Sequence, residues 1–324
     1  MNLTANSPTQ LLSSMMLIRA AELKISIEAK KQTFKTPIHL AIGQEAVAVG
    51  VAMALKNSDT VFGNHRSHGH YLATGGELTS LFSEILGNAD GCSGGRGGSM
   101  HITSRKTGFM GSMPIVGGTI PVSLGAALAH KRSGSKGVSV VFFGDGAAEE
   151  GVFHESLNLA AIMSLPILFV CENNLFSSHL HISERQKSSK IQRFAEAHQI
   201  KSHEVDGNDV RKVSEMSNKL IKVMRSESKP AFIEAMTYRL FGHVGPEIDE
   251  EIGFERERDL KTWRKRDPIE RELNYLFRKG ILNNETFAIL NDEINQFVID
   301  CWERARRGVK PDESTLLKNV LMDF

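Results

Sequence analysis

The hydrophobic pattern predicts alternating strands and helices through the middle of the chain. Short apolar runs, typical of buried strands, are separated by segments with an apolar residue at every third or fourth position, which is typical of amphipathic helices. The expected strands are residues 138–143, 166–171, 201–205 and 231–237, and the helices between them are 150–163 and 209–226. Because strands that alternate with helices form βαβ units, this pattern predicts an α/β fold, a doubly wound parallel sheet with helices on both faces.

Apolar residues at helical spacing also predict helices outside this region. Residues 8–30 form a long amphipathic helix, residues 39–55 an unusually apolar one, and the segment from Pro121 to Lys131 one that a proline can start. Near the C-terminus, apolar residues recur every three or four positions at Phe287, Leu290, Ile294, Phe297 and Cys301. That spacing suits either packing on the core or a subunit contact.

Composition and charge narrow the class of protein. A chain of 324 residues with a hydrophobic fraction of 41% can bury a sizeable core. The formal net charge is +1 and no dense basic run occurs, which argues against a nucleic-acid partner. Three widely spaced cysteines offer neither a disulfide framework nor CxxC metal spacing, and they fit a reducing cytoplasm. A signal peptide and a long apolar run are both missing, so neither secretion nor a membrane span is indicated.

Three segments of different composition suggest a division of the chain. Residues 1–60 are expected to form an N-terminal helical extension, residues 61–245 the α/β core, and residues 246–324 a charged loop and a C-terminal helical segment that packs on the core or on subunits. Within the core, residues 63–118 are crowded with Gly, His and Ser, but apolar residues interleave with them. This mixture favours ordered functional loops over a flexible linker.

Two polar motifs follow neighbouring strands of the predicted sheet. Gly-Asp-Gly, with Asp145 at its centre, ends the first apolar run, and Asn174 follows the next one. Because the carboxyl ends of parallel strands meet at one edge, Asp145 and Asn174 can hold one divalent cation between them. The backbone amides of Gly146 and Ala147, at the start of a helix, would favour an anion beside it. A plain turn remains the alternative for the tripeptide alone.

Several motifs in a fixed order carry a family resemblance. The GDG and NN pair, with HLAIGQEAVAVGVA, NHRSHGHYLATGG, GGRGGSMHI, PIVGGTIPVSLGAALA and TYRLFGHVG, resembles the α subunit of the thiamine diphosphate-dependent 2-oxo-acid dehydrogenases and the similar acetoin dehydrogenases, the first component of these complexes. The match runs from about Leu11 to Pro246. It implies the diphosphate-binding half of the thiamine diphosphate fold, with magnesium as second cofactor.

The resemblance also implies roles for individual residues. Magnesium is coordinated by Asp145, Asn174 and the backbone carbonyl of Phe176. His65 and Arg66 contact the diphosphate, to which Gly146 and Ala147 donate amides, while backbone groups of Pro114 and Val116 meet the aminopyrimidine ring. His243 is the loop histidine that reaches the diphosphate and the reacting carbon. By its residue type and its place in the histidine-rich loop, and not from the resemblance, His68 is the second catalytic candidate.

Other readings of the histidines and glycines are open. His68 and His70 could be zinc ligands by type, but their spacing within a glycine loop favours hydrogen bonding or a substrate contact. His179, His181, His198 and His203 are expected to be ordinary surface or hydrogen-bonded residues. GGRGGS is rich in glycine like a phosphate-binding loop, but neither GxGxxG nor GxxxxGK[ST] occurs in the chain. The resemblance to a nucleotide-binding motif is therefore only superficial.

The implied activity is decarboxylation of a 2-oxo acid, or cleavage of acetoin, with transfer of the acyl group to a lipoyl carrier. It requires a β subunit in an α2β2 heterotetramer and a lipoyl acyltransferase, and the apolar helix 39–55 and the glycine-rich loops are expected to face that second subunit. Two residues depart from the family's His-Gly-His-Ser motif. Phe241 stands in place of its first histidine, which leaves the identity of the substrate undecided. Val244 stands in place of its serine, which excludes kinase control at that position. The alternatives are a carboligase-like enzyme for an unusual acceptor and a non-catalytic partner subunit.

Overall fold

The computed structural model describes residues 7–249, 257–315 and 317, and its main feature is one parallel sheet of six strands. The strands are β1 (Thr60–Phe62), β2 (Phe109–Gly111), β3 (Ser139–Gly144), β4 (Ile167–Asn173), β5 (Phe176–Ser177), β6 (Leu180–His181), β7 (Lys201–Asp206) and β8 (Ala231–Met236). Strands β5 and β6 form a separate antiparallel hairpin, and the other six pair in the order β2-β1-β3-β4-β8-β7.

Helices precede, connect and follow these strands. They are α1 (Gln10–Lys30), α2 (Glu45–Ala52), α3 (His68–Ala73), α4 (Leu78–Leu86), α5 (Thr119–Arg132), α6 (Gly151–Met163), α7 (Ile182–Arg185), α8 (Gln192–Ala197), α9 (Val210–Glu227), α10 (Glu257–Arg264), α11 (Pro268–Arg278) and α12 (Asn284–Arg306). None of the helices within the described ranges is both long enough and apolar enough to cross a membrane.

Alternating side chains of the strands bury both faces of the sheet. In β3, Val140 and Phe142 join the hydrophobic cluster formed with α1, α2 and α9. Val141 and Phe143 join the cluster on the opposite face, formed with α5 and α6. Because successive strand residues point to opposite faces, the apolar run of β3 needs a helix layer on each side. The predicted doubly wound α/β sheet is therefore confirmed.

The helix predicted over residues 39–55 is buried among other elements but is shorter than expected. Residues 45–52 are helical, whereas the preceding segment is a loop in which Gly43 has a φ of +100° and a Cβ atom would lie 2.6 Å from the Tyr238 carbonyl oxygen. The Ala41 N–H donates to the Glu22 carboxylate, which also competes with helix formation. Since α2 packs inside the chain's own core, the expectation that it faces another subunit is wrong.

The glycine-rich region is ordered, as expected, and part of it folds around a buried carboxylate. Glu84 is fully buried at the end of α4 and accepts four backbone N–H groups. The donors are Ser93 at 2.7 Å, Gly95 at 2.9 Å, Gly97 at 2.7 Å and Gly98 at 3.1 Å. The GGRGGS segment thus does bind an anion, but the anion belongs to the same chain.

The C-terminal helix α12 packs on the core. Ile294, Cys301 and Trp302 are buried in the same cluster as α1 and α4, while Phe287 is partly buried against it. The packing interpretation of the apolar repeat is therefore confirmed. This cluster extends from Leu12 to Ala305, so the three predicted segments share one core, and the charged residues 250–256 lie outside the described ranges.

Candidate active site

A cavity of about 200 Å³ opens at the carboxyl edge of the sheet, between β1 and β3. The chain leaves β1 toward β2 on one side and leaves β3 toward β4 on the other, so the strand order reverses here. Open α/β sheets bind ligands at such a switch point. The cavity is lined by every residue that the resemblance implies for cofactor or metal binding, namely His65, Arg66, Pro114, Val116, Asp145, Gly146, Ala147, Asn174, Phe176 and His243.

Asp145 brings a buried carboxylate to the end of β3. Its side chain is 1% exposed, and Oδ2 forms an ion pair with the Arg185 guanidinium. Oδ1 is buried and has no hydrogen-bond partner among the described residues. Burial raises the pKa of this carboxyl, against the opposing effect of Arg185. A buried carboxylate oxygen without a donor is costly unless a cation or another ligand contacts it.

Asn174 and Phe176 lie on the segment that follows β4. The Asn174 side chain donates to Gln44 Oε1 at 2.9 Å and accepts the Phe176 N–H at 3.1 Å. Gln44 therefore fixes which way the amide faces, and the amide oxygen keeps a second lone pair. Leu175, between the two residues, has a φ of 70°, and this left-handed turn starts the β5–β6 hairpin. The hairpin packs against Gly146, where a Cβ atom would lie 2.6 Å from Ser177 Oγ.

Two buried guanidiniums and three histidines also line the cavity. Arg66 donates to the carbonyl oxygens of Leu40 at 2.7 Å and His243 at 3.1 Å, and Arg239 lines the same wall. The rings of His39, His65 and His243 pack against one another, with centroids 4.7 to 5.6 Å apart. Arg239 likewise donates to the carbonyl oxygens of Phe241 at 3.0 Å and Ser178 at 2.9 Å, so both guanidiniums are held by the backbone and give this part of the cavity a positive charge that suits an anion.

Burial and the charge of Arg66 keep the three histidines neutral. Burial, followed by the Arg66 charge, lowers the pKa of His39 to about 3, that of His65 to about 2 and that of His243 to about 3. Their ligand atoms lie within 4.8 Å of one another, a spacing that a metal ion could use. However, the positive field that keeps protons off the rings also disfavours a metal cation. An anion is the better match for this wall.

Comparison with known proteins identifies the family of the chain. The model of the family described as dehydrogenase E1 component matches residues 13–314 of the chain. The chain belongs to the dehydrogenase E1 component family. It is 35% identical over 328 residues to the α subunit of acetoin:2,6-dichlorophenolindophenol oxidoreductase of Bacillus subtilis, covering 100% of this chain and 96% of that protein.

Two further relatives are named as pyruvate dehydrogenase E1 component subunit alpha. The Rhizobium meliloti protein is 34% identical over 285 residues, covering 88% of this chain and 81% of the relative. The Porphyra purpurea protein is 37% identical over 265 residues, covering 80% and 74%. E1 α subunits of this family are oxidoreductase components that depend on thiamine diphosphate and act with a β subunit.

In this E1 chain, His68 does not line the cavity with the other predicted site residues. Its ring is fully buried, with Nδ1 3.2 Å from Glu22 Oε1 and Nε2 2.8 Å from Ser99 Oγ. Since both nitrogens are hydrogen-bonded inside the chain, the geometry does not support a catalytic contact for His68. His70 is similar, because it pairs with Ser67 and Glu172 and stacks on Phe142. The contacts of His68 and His70 therefore agree with hydrogen bonding within the chain and not with zinc binding.

Four residues of the E1 site escaped the sequence analysis. His39, Gln44 and Arg239 line the cavity, and Arg185 pairs with Asp145. The sequence offered one weak signal for three of them: they lie inside the quoted motifs, His39 and Gln44 in HLAIGQEAVAVGVA and Arg239 in TYRLFGHVG. Arg185 lies in no such motif.

Proposed function

We propose that this chain is the α subunit of a thiamine diphosphate-dependent dehydrogenase that decarboxylates a 2-oxo acid, or cleaves acetoin, and transfers the acyl group to a lipoyl carrier. One observation carries the proposal. Asp145, whose buried Oδ1 has no hydrogen-bond partner among the described residues, lines the same cavity as Arg66 and Arg239. A cation ligand and an anion-binding wall in one cavity suit a metal-bound diphosphate.

The residues present fit magnesium at one side of the cavity. Asp145 Oδ1 and the amide oxygen of Asn174 are hard oxygen ligands, and the carbonyl of Phe176 lies two residues beyond Asn174. Magnesium prefers oxygen ligands and shares its coordination with phosphate groups. We infer that these three residues hold Mg²⁺, and because Phe176 contributes its backbone carbonyl, the ligand does not depend on the side chain at this position.

The residues also fit the organic cofactor. His65 and Arg66 would bind the diphosphate together with the amides of Gly146 and Ala147, and Arg239 would add a second guanidinium. Pro114, Val116 and the exposed Ile115 give the other part of the cavity an apolar surface for the ring system. When bound, thiamine diphosphate supplies the carbanion that adds to a substrate carbonyl.

The chain's own contribution near the reacting carbon is a neutral histidine. His243 has a lowered pKa, so its ring can accept a proton, and Arg66 Nη2 lies 3.4 Å from its Nδ1. A histidine in this state suits proton transfer and orientation of the substrate. We therefore assign the catalytic role to His243 and not to His68.

The names of the relatives suggest that the substrate is acetoin or a 2-oxo acid such as pyruvate. The relatives are named for acetoin and for pyruvate, and either name is compatible with this cavity. Phe241 packs partly buried against the core beside the His243 loop, so the position where many family members have a histidine is apolar here. Retention of Asp145, Asn174, Arg66 and His243 favours an active enzyme over a non-catalytic partner, and the relatives' names favour a dehydrogenase over a carboligase.

We propose an α2β2 heterotetramer that works with a lipoyl acyltransferase in the cytoplasm. In the two-chain members that the sequence resembles, the glutamate that activates the aminopyrimidine comes from the β subunit. The three cysteines are free thiols, which fits a reducing compartment.

Replacing Asp145 tests the proposal. Asp145→Asn keeps the size of the side chain but removes the charge that a magnesium ion needs, so the affinity for thiamine diphosphate in the presence of Mg²⁺ should fall by about 100-fold or more. Calorimetry on the assembled α and β subunits measures this, and Asp90→Asn, an exposed change in another loop, is the control. Unchanged affinity in Asp145→Asn would refute the assignment of the site.

A further inference from the structure

Arg185 joins two carboxylates at the edge of the cavity. Its Nη2 pairs with Asp145 Oδ2 and its Nη1 with Glu149 Oε1, and its side chain is almost fully buried. Neither the sequence motifs nor the comparisons give this arginine a role. We propose that Arg185 is a positioning residue that fixes the metal ligand Asp145, an inference that rests on the proposed function.

The pairing leaves one defined oxygen for a ligand. A carboxylate can rotate and offer either oxygen, but an ion pair to Oδ2 fixes the plane of Asp145 and leaves Oδ1 as the remaining acceptor. Magnesium tolerates little deviation from octahedral geometry, so a ligand held in one orientation binds it better than a mobile one. Hydrogen-bonding partners of metal ligands typically change metal affinity by about 10–100-fold.

Arg185 also connects the two strands that supply the proposed ligands. Asp145 directly follows β3, whereas Arg185 ends α7, directly after the hairpin that starts at Phe176. His181 caps α7 by accepting the Ser183 N–H, and Arg185 Nε donates to the Leu180 carbonyl at 3.1 Å. The guanidinium therefore holds the hairpin at a fixed distance from Asp145.

The Glu149 carboxylate offsets the positive charge of Arg185, which would otherwise repel a metal ion at Asp145. Asp145, Glu149 and Arg185 together carry a net charge of −1 when ionised, so an incoming cation still meets a negative group. Gln186 Nε2 donates to Glu149 Oε1 at 2.8 Å and keeps this second carboxylate in place. The arrangement orients Asp145 without neutralising the site.

An alternative role for Arg185 predicts a change of metal affinity in the opposite direction. If Arg185 merely occupies Asp145 until a metal displaces it, removing the guanidinium frees the carboxylate and increases metal affinity. If Arg185 positions Asp145, removing it decreases metal affinity. The sign of the change therefore separates the two.

The test uses Mn²⁺ as a spectroscopic substitute for Mg²⁺, bound to the α chain assembled with its β subunit and saturated with thiamine diphosphate. Electron paramagnetic resonance of free Mn²⁺ gives the dissociation constant. Arg185→Gln should weaken Mn²⁺ binding by about 10–100-fold. Arg185→Lys should restore part of the loss, since an ammonium keeps the charge but not the fork. Lys190→Gln removes the same charge from an exposed site in the same segment and should have no effect.

The outcomes are distinguishable. Tighter or unchanged Mn²⁺ binding in Arg185→Gln, with a wild-type melting temperature, overturns the positioning role. Weaker binding that Arg185→Lys does not restore at all also overturns it, provided that the Lys variant melts as the wild type does. If Asp145→Asn itself leaves Mn²⁺ binding unchanged, the proposed function fails rather than the inference. If the Gln variant does not assemble, the Lys variant alone decides: a dissociation constant above the wild-type value supports the positioning role, and a wild-type or lower value overturns it.

Discussion

At the scale of single residues, the histidines of the cavity couple charge to ligand binding. Burial and the Arg66 guanidinium lower the pKa of His243 to about 3, and His39 responds to the same two causes. A diphosphate placed against these rings would favour their protonated forms and raise both pKa values. Binding of the cofactor should therefore take up protons below neutral pH.

The lowered pKa values predict how the stability of the ligand-free protein depends on pH. Between about pH 6.5 and 3 the unfolded chain protonates these histidines and the folded chain does not, so stability falls as the pH falls through this window. His243→Asn removes one such group and should reduce the slope of melting temperature against pH between pH 5 and 7. His101→Asn, a change at an exposed histidine, is the control. Equal slopes for His243→Asn and wild type would contradict the lowered pKa.

The residues predicted from sequence and those missed differ in a physical way. Asp145 and Asn174 could be predicted because each directly follows an apolar strand, so the local pattern fixes their place at the sheet edge. Arg185 and His39 could not, since their roles depend on partners about 40 and 204 residues away in the chain, Asp145 and His243. His68 was assigned by residue type, but its environment beside Glu22 makes it structural.

At the scale of elements, the glycine loop of residues 91–98 shows how an anion-binding sequence can be satisfied internally. Four N–H groups converge on Glu84, and Gly95 and Gly98 have φ values of 74° and 58° that favour glycine. Gly91 lets the loop approach the carboxylate, because a Cβ atom there would lie 2.3 Å from Glu84 Oε2. Its glycines therefore order the loop next to the cavity rather than bind a ligand.

Replacing the internal anion should loosen the loop. Glu84→Gln keeps the size of the side chain, but its NH₂ group cannot accept the N–H groups that one carboxylate oxygen now accepts. Two buried donors then lose their acceptor, which should cost about 2–5 kcal/mol of stability. Chemical denaturation measures the loss, and Glu77→Gln at the exposed start of the same helix is the control. A variant as stable as the wild type would show that the loop does not depend on the charge.

The elements that sequence could not predict are short or shaped by distant contacts. Strands β1 and β2 have three residues each, too few to show a period. The helix expected over residues 39–55 fails in its first part because Gly43 must approach the Tyr238 carbonyl, a contact made across almost two hundred residues. The strands β3, β4 and β8 were predicted because their burial on both faces demands continuous apolar runs.

At the scale of the whole molecule, the cavity combines loops from distant parts of one chain but opens on an apolar surface. Ile115 is 70% exposed and Val116 48%, although both line the cavity. Val122 on α5 and Ile162 on α6 are exposed on the same side of the sheet, where these two helices pack. Since α2 is buried internally, this surface replaces it as the place where we expect the β subunit.

The last prediction concerns assembly. The lone chain should neither bind thiamine diphosphate tightly nor turn over pyruvate, branched-chain 2-oxo acids or acetoin with an artificial electron acceptor. Adding its β subunit should restore both in an α2β2 particle, with an interface of well over about 2,000 Å². Ile115→Asp should weaken that assembly in sedimentation experiments, because it places a charge in the contact, whereas Ile289→Asp on the exposed face of α12 should not. Full activity of the lone chain would contradict a site shared between two subunits, and wild-type assembly of Ile115→Asp would move the contact elsewhere on the molecule.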